Sequence, residues 1–263
     1  MILKMMEEAV STVRKCGYTP VYAALYGSQN YGLDIYSEDA ASDYDFKVIV
    51  MPMIHDVVFK KSNVSTTIEY SGGLIDVKSA IEMTELYGKC NQQYLETLIT
   101  PFYQIYPGGE YMEKLRKHAD DLVNERKTLF VNSVVGHFAN KYKELFDPRR
   151  QDEDVYIRKQ ACHALRLTCM LEDFKKTGRC ILHPAQDDRE IMLDIKRGKY
   201  EIEQLLPMAN GWKERIQIAA YSFPGRDNPV DTTLDLMRQE TKKAWYQALC
   251  KCGLASAGLM EDV

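Results

Sequence analysis

Residues 27–33 read Gly-Ser-Gln-Asn-Tyr-Gly-Leu, and residues 42–50 read Ser-Asp-Tyr-Asp-Phe-Lys-Val-Ile-Val. The apolar run at residues 21–26, just before the first stretch, predicts a β-strand, and the run at residues 46–50 predicts a second one. The chain is therefore expected to pass from a strand through a Gly-Ser turn and a loop into another strand, which opens with two carboxylates.

The two carboxylates are Asp43 and Asp45, whose side chains point to the same face if the segment is a strand. Like charges side by side repel each other, and a cation bound between them removes that repulsion. Oxygen ligands of this kind suit Mg²⁺ or Mn²⁺. Backbone N–H groups at Gly27 and the hydroxyl of Ser28 can hold phosphate oxygens beside such an ion. The residues thus indicate a metal and phosphate site, although an Asp-x-Asp pair taken alone is equally typical of a solvated loop.

These motifs resemble the signature of the nucleotidyltransferases of the DNA polymerase β superfamily. More narrowly, the chain resembles a group of predicted nucleotidyltransferases from bacteria and phages, which share a Gly-Ser-x-x-x-Gly-Leu turn and a Ser-Asp-Tyr-Asp core. The resemblance implies a third carboxylate on a later strand, for which the sequence offers Asp76. An acidic insert around residues 37–39 makes the distance from Ser28 to Asp43 longer than the shortest spacing in the family.

The resemblance implies a two-metal reaction, in which Asp43 and Asp45 bind or bridge both ions and Asp76 completes the site that holds the attacking hydroxyl. Gly27 and Ser28 would hold the β- and γ-phosphates of an NTP. A nucleoside monophosphate would then move to an acceptor hydroxyl, and pyrophosphate would leave. The acceptor stays open between a nucleic-acid 3′ end, a protein side chain and a small molecule. For Asp76, the plain alternative is a cap for the following helix.

The remaining pattern predicts an α+β fold. A helix is expected at residues 1–16, a strand hairpin at 64–70 and 74–77 beside the Asp43 strand, two short helices after residue 79, and an edge strand at 102–106. Helices are then expected at 111–124, 127–146, 154–176, 187–197, 200–221 and 232–252. We therefore predict a small mixed-sheet nucleotidyltransferase head at residues 1–107, followed by an α-helical C-terminal domain at residues 108–263.

The predicted helix at residues 154–176 carries Lys159, His163 and Arg166 at steps of four and three, which places them on one helix face. Such a basic face could bind the triphosphate or an acceptor anion, and a solvated face is the alternative. The string Lys-x-x-x-His-Ala-Leu-Arg resembles the helix that follows the catalytic head in the same group, so we expect all three residues to contact the NTP. The segment 194–198 is also similar to that group, without an evident role.

Net charge, cysteine spacing and the absence of certain motifs exclude several classes of function. A net charge of −4 and a pI near 5.8 argue against a chain-wide surface for polyanions. The seven cysteines have no regular spacing, which is typical of reduced thiols in a cytoplasmic protein. No run of 18 apolar residues occurs, so no membrane partner is expected. The sequence also contains no P-loop, no Rossmann motif and no nucleophile elbow.

Two other classes of protein compete with the enzyme. One is a nucleotide-binding or protein-interaction module that has kept the fold and lost turnover, and the other is a helical scaffold whose head is only structural. Both leave the repelling pair Asp43 and Asp45 without a purpose. A thermal-shift measurement with Mg²⁺ and NTPs separates the three classes, because a module shifts without turnover, an enzyme also releases pyrophosphate, and a scaffold does neither.

Overall fold

The computed structural model describes residues 1–34, 42–52, 64–150, 153–223 and 231–256. The acidic insert at residues 37–39 lies outside these ranges. Within these ranges the chain forms one five-stranded sheet, in the order β3-β4-β2-β1-β5. Its strands are β1 Pro20–Tyr26, β2 Asp45–Val50, β3 Ser65–Tyr70, β4 Gly73–Ser79 and β5 Tyr103–Ile105. Strands β2 and β4 pair in parallel and the other pairs are antiparallel, so the mixed sheet, the β3–β4 hairpin and the edge strand β5 are all confirmed.

Ten α-helices fall within the described ranges, and they confirm the α+β class. They are α1 Ile2–Lys15, α2 Ala80–Gly88, α3 Gln92–Ile99, α4 Tyr111–Lys117, α5 Ala119–Glu125, α6 Lys127–Leu145, α7 Asp154–Thr177, α8 Gln186–Lys196, α9 Ile202–Ala220 and α10 Thr232–Ser256. The single helix expected at residues 111–124 is wrong, because the chain breaks it at His118 into α4 and α5. No glycine or proline stands near that junction to signal the break.

The two faces of the sheet are covered by different helices. Helix α1 is amphipathic and buries its apolar side against one face, where it meets Phe46, Val48 and Val50 of β2. Because side chains alternate along a strand, Asp45, Lys47 and Ile49 point to the other face, and Ile49 belongs to the core formed with the later helices. The carboxylate of Asp45 therefore lies on the side of the sheet that faces the helical part of the chain.

One of the two apolar clusters among the described residues joins the sheet to the later helices. It includes Tyr22 and Ile49 from the sheet together with Phe130, Leu165 and Trp212 from the helical part. The division of the chain at residue 107 stays a prediction. None of the described helices is both long enough and apolar enough to cross a membrane.

Helix α7 lies at the centre of the helical part and packs against α6, α8 and α9. Small and apolar residues are buried on most of its circumference, so neighbours surround it rather than cover a single stripe. This central helix brings Lys159 and Arg166 towards the head.

Candidate active site

A Gly-Ser turn stands at the end of β1. Gly27 has φ +82°, a value that side-chain-bearing residues avoid, and it begins the 3₁₀ turn Ser28–Tyr31. The turn ends at Gly32, which is in the left-handed conformation with φ +65°. The N–H of Asn30 donates to the Gly27 carbonyl at 3.0 Å, which closes the turn. The sequence signal was thus correct in placing a tight Gly-Ser turn directly after a strand.

Asp45 lies against this turn. It is the register partner of Tyr26 in the β1–β2 pair, so it is adjacent to the end of β1. A Cβ atom on Gly27 would lie 3.2 Å from Asp45 Oδ2. On the other side, Asp45 Oδ1 accepts a hydrogen bond from the backbone N–H of Leu74 at 3.0 Å. A Cβ atom on Gly73 would lie 3.0 Å from the same oxygen and 3.1 Å from Cβ of Asp43.

Asp45 is partly buried and lies near charges of both signs. Burial raises its pKa, and the charge of Asp43 raises it further, while the Leu74 N–H, Lys159 and Lys47 act in the opposite direction. Asp43 itself is exposed. Two carboxylates with only oxygen donors, enclosed by glycines that admit close approach, fit a hard divalent cation such as Mg²⁺ or Mn²⁺.

Asp76 is on the same face of the sheet, one pleat further along. In the parallel β2–β4 pair its register partner is Lys47, which follows Asp45 by two residues. Its Oδ2 is 2.9 Å from Lys47 Nζ, and its Oδ1 is 3.2 Å from Lys78 Nζ. Burial raises the pKa of Asp76, but the charges and hydrogen bonds of the two lysines outweigh burial and hold the pKa below its ordinary value.

Two further observations concern the role of Asp76. The alternative that it caps the following helix is wrong, because the Ser79 hydroxyl accepts the Glu82 N–H at the start of α2. Across the described ranges, no three His, Cys, Asp or Glu side chains are grouped so that they could hold one metal ion. Of the three predicted carboxylates, the structure brings Asp43 and Asp45 together beside the Gly-Ser turn, and Asp76 is paired with two lysines nearby.

The three basic residues of α7 have different surroundings. Lys159 is exposed, and its charge lowers the pKa of Asp45. His163 is half-buried, and burial together with Arg166 and Lys141 holds its pKa well below the ordinary value. Arg166 is only 3% exposed, so the alternative of a solvated face is wrong at this residue. Direct contact of His163 and Arg166 with an NTP stays a prediction.

Helix α8 contributes two residues that the sequence analysis missed. Lys196 Nζ donates to Ser28 Oγ at 3.2 Å and also to the Leu33 carbonyl. Arg189 Nε donates to the Gly32 carbonyl at 2.8 Å. Burial lowers the pKa of Lys196, and Lys159 lowers it further. Lys196 of α8 thus contacts the turn directly. The resemblance of residues 194–198 to the nucleotidyltransferase group was the available signal.

Beneath the turn, Glu96 is the centre of a buried polar network. Arg166 Nη1 donates to Glu96 Oε1 at 2.8 Å, and the Arg166 guanidinium lies 3.9 Å from the centre of the Tyr31 ring. The Tyr31 hydroxyl and the Gln92 amide also donate to this carboxylate. Glu96 and Tyr31 are each 2% exposed. Because Tyr31 is the last residue of the 3₁₀ turn, the network ties α7 to the Gly-Ser turn.

His137 extends this network as a neutral ring. Its Nδ1 is 3.0 Å from Gln92 Oε1, and its Nε2 is 3.2 Å from Gln93 Nε2. With the amide oxygen as acceptor and the amide nitrogen as donor, the imidazole carries its proton on Nδ1. Burial lowers the pKa of His137 to about 4, and the charges of Arg166 and Lys141 act in the same direction.

We expect the fold to lose stability through His137 as the pH falls. The folded-state pKa lies below the unfolded value, so the unfolded chain binds the extra proton between those two values, and the contribution is complete only above the unfolded pKa. From about pH 7 to about pH 5, the loss attributable to this residue is about 2 kcal/mol in the free energy of unfolding. Urea unfolding of the wild type and of His137→Asn measures this difference.

The matched control is His183→Asn, because His183 is exposed. It should leave the pH profile of stability as in the wild type. Equal pH profiles for the wild type and His137→Asn would contradict the assignment of a buried neutral ring.

A Gly-Ser turn after one strand and an Asp-x-Asp at the start of the neighbouring strand place this chain in the DNA polymerase β class of nucleotidyltransferases. A family model described as the RNA repair pathway DNA polymerase beta family, RlaP, matches residues 1–247. The chain belongs to this family. No curated protein matches it. Among solved structures, it is similar to a nucleotidyltransferase-like protein from Exiguobacterium sibiricum, with 11% identity, a TM-score of 0.34, and coverage of 95% of this chain and 92% of that one.

Proposed function

We propose that the protein is a metal-dependent nucleotidyltransferase, which moves a nucleoside monophosphate from an NTP to a hydroxyl of RNA and releases pyrophosphate. The observation that carries this proposal is the close approach of the Gly-Ser turn to Asp45. The two are so close that a Cβ atom on Gly27 would touch the Asp45 carboxylate. This arrangement supports the proposal, because a turn of a kind that can bind phosphate lies beside a carboxylate that can bind a cation. The RNA acceptor is supported by the name of the family, which refers to RNA repair.

The residues divide by role. Asp43 and Asp45 would hold Mg²⁺ or Mn²⁺, and a bound ion of this kind neutralises phosphate charge and stabilises the leaving pyrophosphate. The backbone of Gly27 and the Ser28 hydroxyl would bind the phosphates of the NTP. Asp76 faces the same side of the sheet and would border the attacking hydroxyl. Nucleotidyl transfer requires mainly positioning and charge stabilisation, so no covalent intermediate on the protein is needed.

Lys196 and Lys159 would neutralise the triphosphate. Lys196 donates to Ser28 Oγ, so its ammonium lies beside the hydroxyl that would bind a phosphate. We expect Lys196→Met to raise KM for the NTP at least about tenfold, because one charge-assisted hydrogen bond contributes about 1.5–3 kcal/mol. Steady-state kinetics measure this change. Lys199→Met is the matched control, since Lys199 is exposed and paired with Asp194 at 2.7 Å; an equal rise in KM for both variants would contradict the role of Lys196.

Gly27→Ala is expected to damage the site more than the fold. Gly27 has φ +82° and ψ −160°, a region essentially restricted to glycine, so an alanine there is strained by about 1–3 kcal/mol. Its Cβ would also lie 3.2 Å from Asp45 Oδ2. Transfer should therefore fall further than that loss of stability explains. Urea unfolding and a transfer assay on the same preparation separate the two effects.

Gly136→Ala is the control for this variant. Gly136 lies in α6, and a Cβ atom there would meet nothing within 4 Å. Alanine should raise the free energy of unfolding by about 0.5–1 kcal/mol through helix propensity and leave transfer unchanged. Wild-type transfer by Gly27→Ala would show that close approach of the turn to Asp45 is not required.

The proposed reaction is tested by incubating the full chain with each NTP labelled at the α-phosphate, Mg²⁺ or Mn²⁺, and RNA, protein or small hydroxyl compounds as separate acceptors. We expect the label to appear in RNA. Label in the protein or small-molecule arm would keep the transferase and overturn the acceptor. A thermal shift with NTP and Mg²⁺ but no label in any arm would instead support the nucleotide-binding module without turnover.

A further inference from the structure

Lys47 is a buried cation next to the proposed metal site. Its side chain is only 5% exposed, and its ammonium lies 4.2 Å from the centre of the Tyr26 ring and 4.3 Å from the centre of the Tyr94 ring. The faces of aromatic rings attract cations, so both rings favour the charged ammonium. Its hydrogen-bonded anion is Asp76, at 2.9 Å. An enclosed ammonium of this kind needs its counter-ion.

The position of Lys47 on the strand connects the two parts of the site. It follows Asp45 by two residues and shares its face of β2, and it stands opposite Asp76 on β4. Lys78 takes the other oxygen of Asp76 at 3.2 Å. Both oxygens of Asp76 are therefore occupied by ammonium groups.

We propose that Lys47, and not a metal ion, supplies the positive charge at Asp76, so that the protein binds one divalent ion through Asp43 and Asp45. Lys47 is then a positioning residue, whose contact at 2.9 Å holds the Asp76 carboxylate at the border of the metal site. A metal ion at Asp76 would have to displace two ammonium groups and leave Lys47 enclosed without a counter-ion. This inference rests on the proposed function only in assuming the metal site at Asp43 and Asp45.

The test is a titration of the full chain with Mn²⁺ in the absence of nucleotide, in which the free ion is followed by electron paramagnetic resonance. We expect one Mn²⁺ per chain. Asp45→Asn should weaken its binding at least tenfold. The double variant Lys47→Met/Asp76→Asn removes the ion pair as a unit, leaves no unpaired charge of that pair, and should bind Mn²⁺ within about twofold of the wild type.

The single variant Lys47→Met provides an independent measurement. Without its buried partner, Asp76 becomes available to a cation, and we expect a second Mn²⁺ or a tighter first one. Thermal unfolding shows that each variant used in the titration is folded. Should Lys47→Met fail to fold, the double variant still tests whether Asp76 is a metal ligand.

Several outcomes would overturn the inference. Two Mn²⁺ ions on the wild type, or at least tenfold weaker binding by the double variant, would show that Asp76 is a metal ligand, while the proposed function would stand. Mn²⁺ binding by Asp45→Asn equal to the wild type, or no binding by the wild type, would instead remove the metal site of the proposed function and the inference with it.

Discussion

Replacement of Asp45 by asparagine is expected to reduce nucleotide transfer by more than about 100-fold, since loss of even the outer partners of metal ligands costs about 10- to 100-fold. Asparagine keeps the size of the side chain and an oxygen that accepts the Leu74 N–H, which is 3.0 Å from Oδ1 in the structure. It removes the negative charge that a divalent ion requires. A transfer assay with labelled NTP measures the loss directly.

The same substitution should leave the fold intact. Burial and the charge of Asp43 raise the pKa of Asp45 above its ordinary value. A carboxylic acid with a raised folded-state pKa favours the folded state at low pH and disfavours it when ionised, so the charge of Asp45 costs stability near neutral pH. Asp45→Asn removes that cost, and its melting temperature should equal or exceed that of the wild type.

Asp187→Asn is the matched control, because Asp187 is an exposed carboxylate in the first turn of α8. It should keep wild-type transfer. If Asp45→Asn retains transfer within tenfold of the wild type and remains folded, Asp45 does not hold the metal. If Asp45→Asn loses transfer because it unfolds, the loss reports on stability and not on metal binding. That result would also contradict the raised pKa of Asp45, from which we expect the variant to be at least as stable as the wild type.

The second large effect concerns stability. Arg166→Met is expected to lower the free energy of unfolding by about 3–5 kcal/mol, because it leaves the Glu96 carboxylate buried without its cation. Arg166 and Glu96 are 3% and 2% exposed and are joined at 2.8 Å. The hydrogen bonds from Tyr31 and Gln92 to Glu96 remain in the variant but bring no compensating charge. Urea unfolding measures the change.

Arg215→Met provides a control of the same chemistry. Arg215 contacts Glu172 of α7 through two hydrogen bonds, at 3.0 Å and 2.7 Å, but its side chain is 38% exposed. Such a pair contributes no more than about 1 kcal/mol, so the cost of Arg215→Met should be small. Neutralising the buried pair on both sides, in Arg166→Met/Glu96→Gln, should recover part of the stability lost in the single variant. Equal losses in the free energy of unfolding for Arg166→Met and Arg215→Met would contradict the expectation that the buried pair contributes more to stability than the exposed one.

The strands and the turn were accessible from sequence because local chemistry specifies them. Apolar runs predicted β1 and β2, and the glycines at 27 and 73 stand where the backbone has a positive φ close to Asp45. The break at His118 had no such signal, since the helical pattern continues across it. Because tertiary packing contributes most of the stability of a helix in a protein, the residue pattern alone does not predict this break.

The positions of the charged side chains at the site depend on contacts between residues that are far apart in the sequence. A step of three or four residues showed that Lys159 and Arg166 share one side of a helix, but not that neighbours bury one of them. Lys47 meets Asp76 only because of the register of a parallel strand pair. Lys196 and Ser28 are 168 residues apart in sequence. These contacts arise from topology, which residue spacing does not contain.

In the proposed reaction, the α-phosphate of an NTP is transferred and pyrophosphate leaves. The most direct measurement compares ATP labelled at the α-phosphate with ATP labelled at the γ-phosphate, each with Mg²⁺, RNA and the full chain. We predict that RNA gains the α-label and that the γ-label is released as pyrophosphate, both abolished in Asp45→Asn. Label from the γ-phosphate in RNA, or α-label transfer that persists in Asp45→Asn, would contradict the assignment.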